Sequence, residues 1–297
     1  MPLKESQAVV QPKFTLEHRA ENVSLVKIEV NSWSELDHSF LLRTDAHQDN
    51  PDCNREMEER HLNEAVSLGA GIIDNGDLFC AMQGKYDKRS DKSKVRPEHR
   101  VANYLDALVE TAADRYEPYG PWWIQFGKGN HESSILNRAE TDLTPLLVKE
   151  LKRRGCTQAI EAGYSGWVVF QFVRQTEVRS LALWRNHGYG GGGPVTMNTI
   201  QAANRMPMMI SGADIIFTGH VHESWVAEKV RVELDRQFKP KHRTLWICQG
   251  ASYKDEYKSG KGGWHIETGK PPKPLGAWWL HFRHERGEIR PSFRRAD

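Results

Sequence analysis

The chain has 297 residues, with 41 Lys and Arg against 39 Asp and Glu, a net charge of +2, and 38% hydrophobic residues alongside 24 glycines. That composition excludes a disordered chain and supports a sizeable globular core. A pI of about 8.3 is too mild to mark a nucleic-acid binder by charge alone.

In chain order, residues 24–30 and 39–44 read as strands. Residues 54–69 read as a helix, with Met57, His61, Leu62, Ala65 and Leu68 on one face and Gly69 as its stop. Residues 70–74 form a short apolar strand. Pro97 is expected to open a second helix, because Val101, Tyr104, Leu105, Leu108, Val109 and Ala112 keep a helical period. A strand at 122–126 follows, then a helix from Thr144-Pro145 to Gly155. Strands at 166–174 and 178–186, a Gly-rich stretch at 188–193, a helix near 195–205 and a strand at 214–218 come next. The remainder reads as strands and turns. Interleaved helices and strands predict an α/β chain organised as one continuous domain over residues 1–297. The cysteines Cys53, Cys80, Cys156 and Cys248 are far apart. They predict reduced thiols and a cytoplasmic setting. No apolar run approaches a membrane span, so no membrane association is expected.

Polar residues collect just past the last apolar position of five strands. Asp45-Ala46-His47 follows "FLLRT" and Gly76-Asp77 follows "GIIDN". Gly129-Asn130-His131-Glu132 follows "WIQFGK". His187-Gly188 follows "LALWRN", and Gly219-His220-Val221-His222 follows "DIIFT". Ligands in open α/β sheets bind outside the carboxyl ends of strands, so these residues are expected to converge. Carboxylate and amide oxygens with imidazole nitrogens suit a borderline to fairly hard divalent ion. The cysteines stand apart from the set, which disfavours a structural thiolate zinc site. The donors are too many for one tetrahedral ion. Two ions ~3.5–4 Å apart sharing a carboxylate use them better, the clamp employed in phosphoryl transfer to water.

The ordered motifs D-x-H, G-D, G-N-H-E, H-G and G-H-x-H, spanning residues 45–222, resemble the calcineurin-like metallophosphoesterase superfamily. The resemblance implies a β-sandwich flanked by helices in αββα layers. It implies one ion on Asp45, His47 and His222 and another on Asn130, His187 and His220, with Asp77 bridging both. It implies two divalent ions, Mn²⁺ first and Fe, Zn, Mg or Ni as alternatives. Phosphate esters, and phosphodiesters first among them, would be hydrolysed by a hydroxide bridging the ions, with His131 protonating the leaving oxygen. A carboxylate, Asp74 or Asp49, is expected to hold His131 cationic. The pair His220 and His222 is expected to point one way from an extended loop, and the glycines before the donors to supply the sharp turns.

Two departures bear on specificity. Many superfamily members read G-D-x-x-D, whereas Cys80 occupies the last position in "GDLFC". The run "GDLFCAMQG" also lacks the D-R-G-like continuation of the Ser/Thr protein phosphatases, and "GDLF" and "GHVHE" are closer in style to the repair exonucleases. The partner expected is a phosphate ester, with nucleic acid as one such substrate. A small-molecule phosphomonoesterase and a non-catalytic binding module with a retained metal site are the alternatives. The basic insert 84–100 reads equally as a phosphate-tracking loop or a solvated one. The irregular stretch 258–274, with Trp264, could cover the site. Trp122, Trp123, Trp278 and Trp279 are expected in the core.

Overall fold

Two kinds of strand are visible in the burial pattern. The residues Gly71–Asp74 (β4), Trp123–Phe126 (β5) and Ile215–Thr218 (β9) are buried at every position, as strands covered on both faces must be. Ser165–Arg174 (β7) instead alternates, with Val168, Phe170 and Phe172 inward, the period-2 mark of a strand with one wet face. These observations come from a computed structural model that describes residues 10–83, 90–190, 205–235, 237–257, 264–267, 269 and 271–296.

The remaining strands are Thr15–Ala20 (β1), Val23–Glu29 (β2), Asp37–Arg43 (β3), Ile160–Glu161 (β6), Glu177–Asn186 (β8), Trp225–Leu234 (β10), Pro240–Gln249 (β11), Ala277–Glu285 (β12) and Glu288–Ala296 (β13). Among the described residues they make two mixed sheets. One has seven strands in the order β1-β2-β7-β8-β9-β11-β10. The other has six in the order β13-β12-β3-β4-β5-β6. β3, β4, β5 and β6 run parallel, as do β8, β9 and β11. The sheets face each other across Phe40, Leu42, Ile73 and Ile124 on one side and Phe170, Phe172, Leu183 and Phe217 on the other.

Helices Arg55–Leu68 (α1), Tyr104–Tyr116 (α2) and Leu143–Arg153 (α4) cover the outer face of the six-stranded sheet. Leu62, Leu108, Leu147 and Leu151 pack there with Leu41, Ile72 and Trp123. On the outer face of the other sheet, Met206, in a helical turn at 205–209, packs with Trp184, Ile216 and Ile247. The layering is therefore the helix-flanked two-sheet α/β sandwich expected. The four expected tryptophans are buried, and all four cysteines are free and buried. No helix among the described residues is long and apolar enough to cross a membrane.

Several boundaries differ from expectation. Pro97 opens a single 3₁₀ turn, Pro97–His99, and the second helix starts only at Tyr104. Val101 lies before it and is exposed, and Leu68 at the end of α1 is exposed too. Helix Asn130–Ala139 (α3) and strands β1 and β6 were not foreseen. α1 begins as its sequence dictates, with Asn54 Oδ1 accepting from the Met57 amide, and ends at Gly69 with φ +67°. The helix expected near 195–205 falls almost wholly outside the described residues.

His38 on β3 is buried against Phe14 and Phe40, with ring centroids 6.5 and 4.8 Å away. Burial, with repulsion from Lys13 and His281, pulls its pKa from 6.5 down to about 4. The unfolded chain therefore binds this proton more readily than the folded one, so stability is complete above about pH 6.5 and declines as pH falls towards 4. His38→Phe should flatten that stretch of the stability–pH curve in denaturant titrations at pH 7 and pH 5. An unchanged slope would show that His38 is not the group responsible.

Candidate metal centre

Every motif singled out in the sequence lies just beyond a strand at the same edge of the sandwich. Asp45 and His47 follow β3, Asp77 follows β4, and Asn130 and His131 follow β5 as the first residues of α3. His187 follows β8, while His220 and His222 follow β9. Three of these strands belong to the six-stranded sheet and two to the other, so the cluster straddles the seam between the sheets.

The donor atoms fall into two groups. Asp45, His47 and His222 form one, and Asp77, His187 and His220 the other. Within each group the donor atoms lie within 4.8 Å of one another. His222 Nε2 is 3.2 Å from Asp45 Oδ1 and 3.3 Å from His47 Nε2. His187 Nε2 is 3.2 Å from both Asp77 Oδ2 and Asn130 Oδ1, and His220 Nδ1 is 2.7 Å from Asn130 Oδ1. His187 Nε2 also lies 3.9 Å from Asp45 Oδ1, which links the two groups. Backbone carbonyls fix the ring tautomers. His187 Nδ1 donates to Asn75 O at 2.8 Å and His220 Nε2 to Gly190 O at 2.8 Å. Each opposite nitrogen thereby faces the cluster, and it accepts only while its ring is neutral.

The buried Asp45 Oδ1 has no hydrogen-bond partner and faces imidazole nitrogens. Such a donor set fits a divalent cation, since convergent carboxylate, amide and imidazole donors are what borderline metals select. The electrostatics agree. Burial favours the neutral acid at Asp77, but His187 and then His131 hold it well below the usual carboxylate range. Asp45 is likewise held low, with His187 and His222 overcoming burial. Burial opposes the charge on His187, yet Asp77 and Asp45 raise it to about 10. His47 is driven well below its ordinary value by burial and by neighbouring His131.

The backbone at the donors corrects the sequence reading. Asp45, His47, Asp77, His220 and His222 all have positive φ, between 45° and 73°. These five are half of the ten non-glycine residues in that conformation among the described residues. The loop bearing His220 and His222 is thus a tight turn, with the Val221 amide donating to Gly219 O at 2.9 Å, and not an extended segment. Gly129 and Gly219 serve by their size and not by their torsion. A Cβ on Gly129 would sit 2.1 Å from Asp77 Oδ1, and one on Gly219 would sit 2.1 Å from Thr44 Oγ1. The donors themselves carry the turn strain, of about 1–3 kcal/mol per residue.

Three supporting roles were not assigned from the sequence. Glu132, buried in α3, accepts from the amides of Gly129 (2.8 Å), Asp77 (3.2 Å) and Phe79 (2.9 Å). Burial and Asp77 push it up to about 8, against those amides. Arg43 ion-pairs with Glu58 and Asp74, each at 2.9 Å, and lies over the rings of Tyr116, Trp123 and Tyr253. Arg185 donates to Gln125 Oε1 at 2.8 Å, to Ala162 O at 2.8 Å and to Asn75 Oδ1 at 3.4 Å. Both arginines are fully buried, and each lies two residues before a donor. A strand whose apolar run ends in arginine was the available signal.

His131 sits beside Asp77. Its amide donates to Asp77 Oδ1 at 2.9 Å, and its Nε2 is 3.9 Å from Asp77 Oδ2. Its Nδ1 donates to Cys80 O at 2.6 Å. Neither expected carboxylate takes that place. Asp74 engages Arg43 and the Gly76 amide, and Asp49 accepts from the amides of Cys80 and Ala81 at 2.6 and 2.8 Å. Asp49 therefore bears on His131 through the peptide that carries Cys80 O, whose Ala81 amide it accepts from. The Cys80 thiol, which the sequence reading left out, lies with donor atoms of His47 and His131 inside 4.8 Å. Burial pushes it up to about 12.

Residues 84–89 of the basic insert lie outside the described residues. Of the others, Lys94 pairs with Asp52 at 2.5 Å, and Arg96 donates to Asn50 O at 3.0 Å and to Cys53 O at 3.2 Å. These two charges staple the segment to the loop after His47. Of 258–274, residues 258–263, 268 and 270, together with the side chain of Trp264, also lie outside the described residues.

No family model matches the sequence, and no curated protein matches it. Several solved structures resemble the chain. A conserved uncharacterized protein of Streptococcus pneumoniae TIGR4, described as a predicted phosphoesterase, is 12% identical with a TM-score of 0.34 over 89% of this chain and 92% of that one. GAP50, the anchor in the inner membrane complex of Plasmodium, is 12% identical with a TM-score of 0.39 over 88% and 85%. Vps29 of Entamoeba histolytica, complexed with zinc, is 8% identical with a TM-score of 0.30 over 87% and 99%. Likenesses this distant assign no activity.

Asn75 is the test of how the cluster is assembled. Its Nδ2 donates to Asn186 O at 2.9 Å and to Phe217 O at 3.4 Å, and its Oδ1 accepts from Arg185. Asn75→Ala should cost about 1–3 kcal/mol in denaturant unfolding, because buried partners lose their bonds. It should also weaken Mn²⁺ binding measured by calorimetry. Unchanged stability together with unchanged binding would remove Asn75 from this role.

Proposed function

We propose that the chain is a dinuclear-metal phosphoesterase acting on phosphodiesters. The observation that carries the reading is the convergence of seven donor side chains from five strand ends into two adjoining groups, with His131 beside them. Asp45, His47 and His222 would hold one ion, and Asn130, His187 and His220 the other. Asp77, whose carboxylate interacts electrostatically with His187 and His47, would be shared. Mn²⁺ is the first choice, because imidazole-rich sites suit it better than Mg²⁺, which prefers oxygen ligands and retains waters. When bound, such a pair activates water and neutralises phosphate charge.

The chain's own residues would do the rest. The His187 and His220 rings, tied to backbone carbonyls, would present fixed nitrogens to a bound cation. His131 has its Nδ1 proton committed to Cys80 O, so Nε2 is the atom that would give a proton to the leaving oxygen. A general acid of this kind matters most for alkoxide leaving groups, which fits diesters with sugar or alkyl oxygens. Nucleic acid is one such diester.

Chelation followed by dialysis should abolish hydrolysis of bis-p-nitrophenyl phosphate, and Mn²⁺ should restore it at least as well as Mg²⁺. Full activity in excess chelator would sink the reading. His131→Ala should keep both ions by elemental analysis while turnover falls ~10²–10⁴-fold, and the fall should be smaller on nitrophenyl esters than on single- or double-stranded DNA. Asp77→Ala should instead lose metal. Loss of metal in His131→Ala would show that His131 is a ligand. Faster turnover of p-nitrophenyl phosphate than of any diester would favour the monoesterase. Metal binding without hydrolysis of any of these substrates would favour the binding module.

A further inference from the structure

β10 and β11 form a ten-pair antiparallel hairpin, Trp225↔Gln249 to Leu234↔Pro240, but β9 pairs only with Trp246–Gln249 of β11. The distal part, from about Lys229 to Leu245, is thus a two-stranded ribbon beyond the sheet. Among the described residues β10 is also an edge strand. A two-stranded ribbon is marginally stable in water, and an unpaired edge is a template for another strand.

The ribbon carries an apolar face. Val226 and Trp246, on its inner side at the base, pack against the core between the sheets. By the two-residue period of a strand, Val230, Val232 and Leu234 continue that same face. They are 60%, 70% and 65% exposed, and Phe238 in the turn is 83% exposed. Core-type residues thus run on past the sheet that covers them elsewhere.

The edge also has a defined hydrogen-bonding phase. The Asp235 amide donates to Lys239 O at 2.9 Å, so residues 229, 231, 233 and 235 turn their peptide groups toward β11. The alternation of an antiparallel ladder then points those of Val230, Val232 and Leu234 outward. A second antiparallel strand must therefore pair even-numbered residues with even-numbered residues if it is another β10. Charge selects among those registers. With Val232 opposite itself, Arg231 faces Glu233, Lys229 faces Asp235 and Val230 faces Leu234, each twice by symmetry. Sliding by one step in either direction places Arg231 opposite Arg231 or Glu233 opposite Glu233, which is unfavourable.

We propose that two copies of this chain associate through antiparallel pairing of their β10 edges, with Val232 on the twofold axis. The interface is isologous, as a twofold dimer requires. It joins two ribbons into one sheet and places apolar side chains side by side.

Sedimentation velocity on the full chain tests this. The wild type should run at twice its 34.0 kDa mass. Val232→Pro removes only an outward-facing amide, which an edge strand tolerates, and should give single-chain mass with an unchanged circular dichroism spectrum. Arg231→Glu and Glu233→Arg should each be monomeric, because each sets like charges opposite one another. A 1:1 mixture of the two should regain the double mass, since every cross-pair is then opposite in sign. Single-chain mass for the wild type up to its solubility limit would overturn the proposal, and would leave another protein to cover this face. A folded Val232→Pro that stays dimeric would also overturn it. So would folded charge variants that fail to pair with each other. Should Arg231→Glu not fold, having lost its bond to Ala213 O, Val232→Pro alone decides.

Discussion

The seam between the two sheets is held at the candidate site by one side chain and its peptide. The Asn75 amide donates to Arg43 O at the end of β3. Its carbonyl accepts from His187, and its side chain reaches Asn186 and Phe217 at the ends of β8 and β9. Four strands from two sheets meet on this residue. Without such a junction, donors arriving on separate sheets would have no common frame, because apolar packing between sheets tolerates small slides that metal coordination does not. The buried arginines extend the junction on either side. Arg43 ties β3 to β4 through Asp74, and Arg185 ties β8 to Gln125 on β5. Buried charges of this kind contribute little net stability. Their value here is geometric.

The second constraint is conformational. Five donors occupy the left-handed region, which side chains other than glycine adopt at a cost. Such strain persists only where the surroundings over-determine it. The hydrogen bonds show how. The His47 amide is held by Asp77 O and the Asp45 amide by Gly76 O, while the His220 amide donates to Asp45 Oδ2 at 2.9 Å. Four of the five strained donors are thus fastened to another donor's segment, so the strain is shared across the cluster.

The layered architecture and the identity of the converging residues were legible because apolar strand patterns and the order of the motifs are local features. What was not legible depends on partners far along the chain. Glu132 stands in the G-N-H-E motif, but nothing local to it gives the residue a role. Its bonding to Asp77 and Phe79 spans 55 and 53 positions. Arg43, Arg185 and Asn75 look like polar strand ends until the opposite sheet is in place. α3 was missed because its first residue is Asn130, and because the apolar pattern of a helix carrying site residues is thin, with only Ile135 and Glu132 buried. Pro97 was misread because a proline is as good an opening for a single 3₁₀ turn as for a helix. The reason offered for His220 and His222 failed because alternation assumes extended backbone, which the positive φ values exclude.

The bracing of His131 has a consequence for what the cleft can accept. Its amide is fixed to Asp77, its ring to Cys80 O, and the Ala81 amide of that same peptide in turn to Asp49. Glu132 binds the same two segments together from below. The imidazole is therefore not a swinging arm, and a proton leaving Nε2 departs from a single location set by main-chain bonds. Under the proposed chemistry, an ester is processed only when its leaving oxygen extends to that location. The clamp thus works as a ruler, measuring the span between the seat of the phosphorus and the departing atom, and selection among esters becomes a matter of length and direction as well as charge.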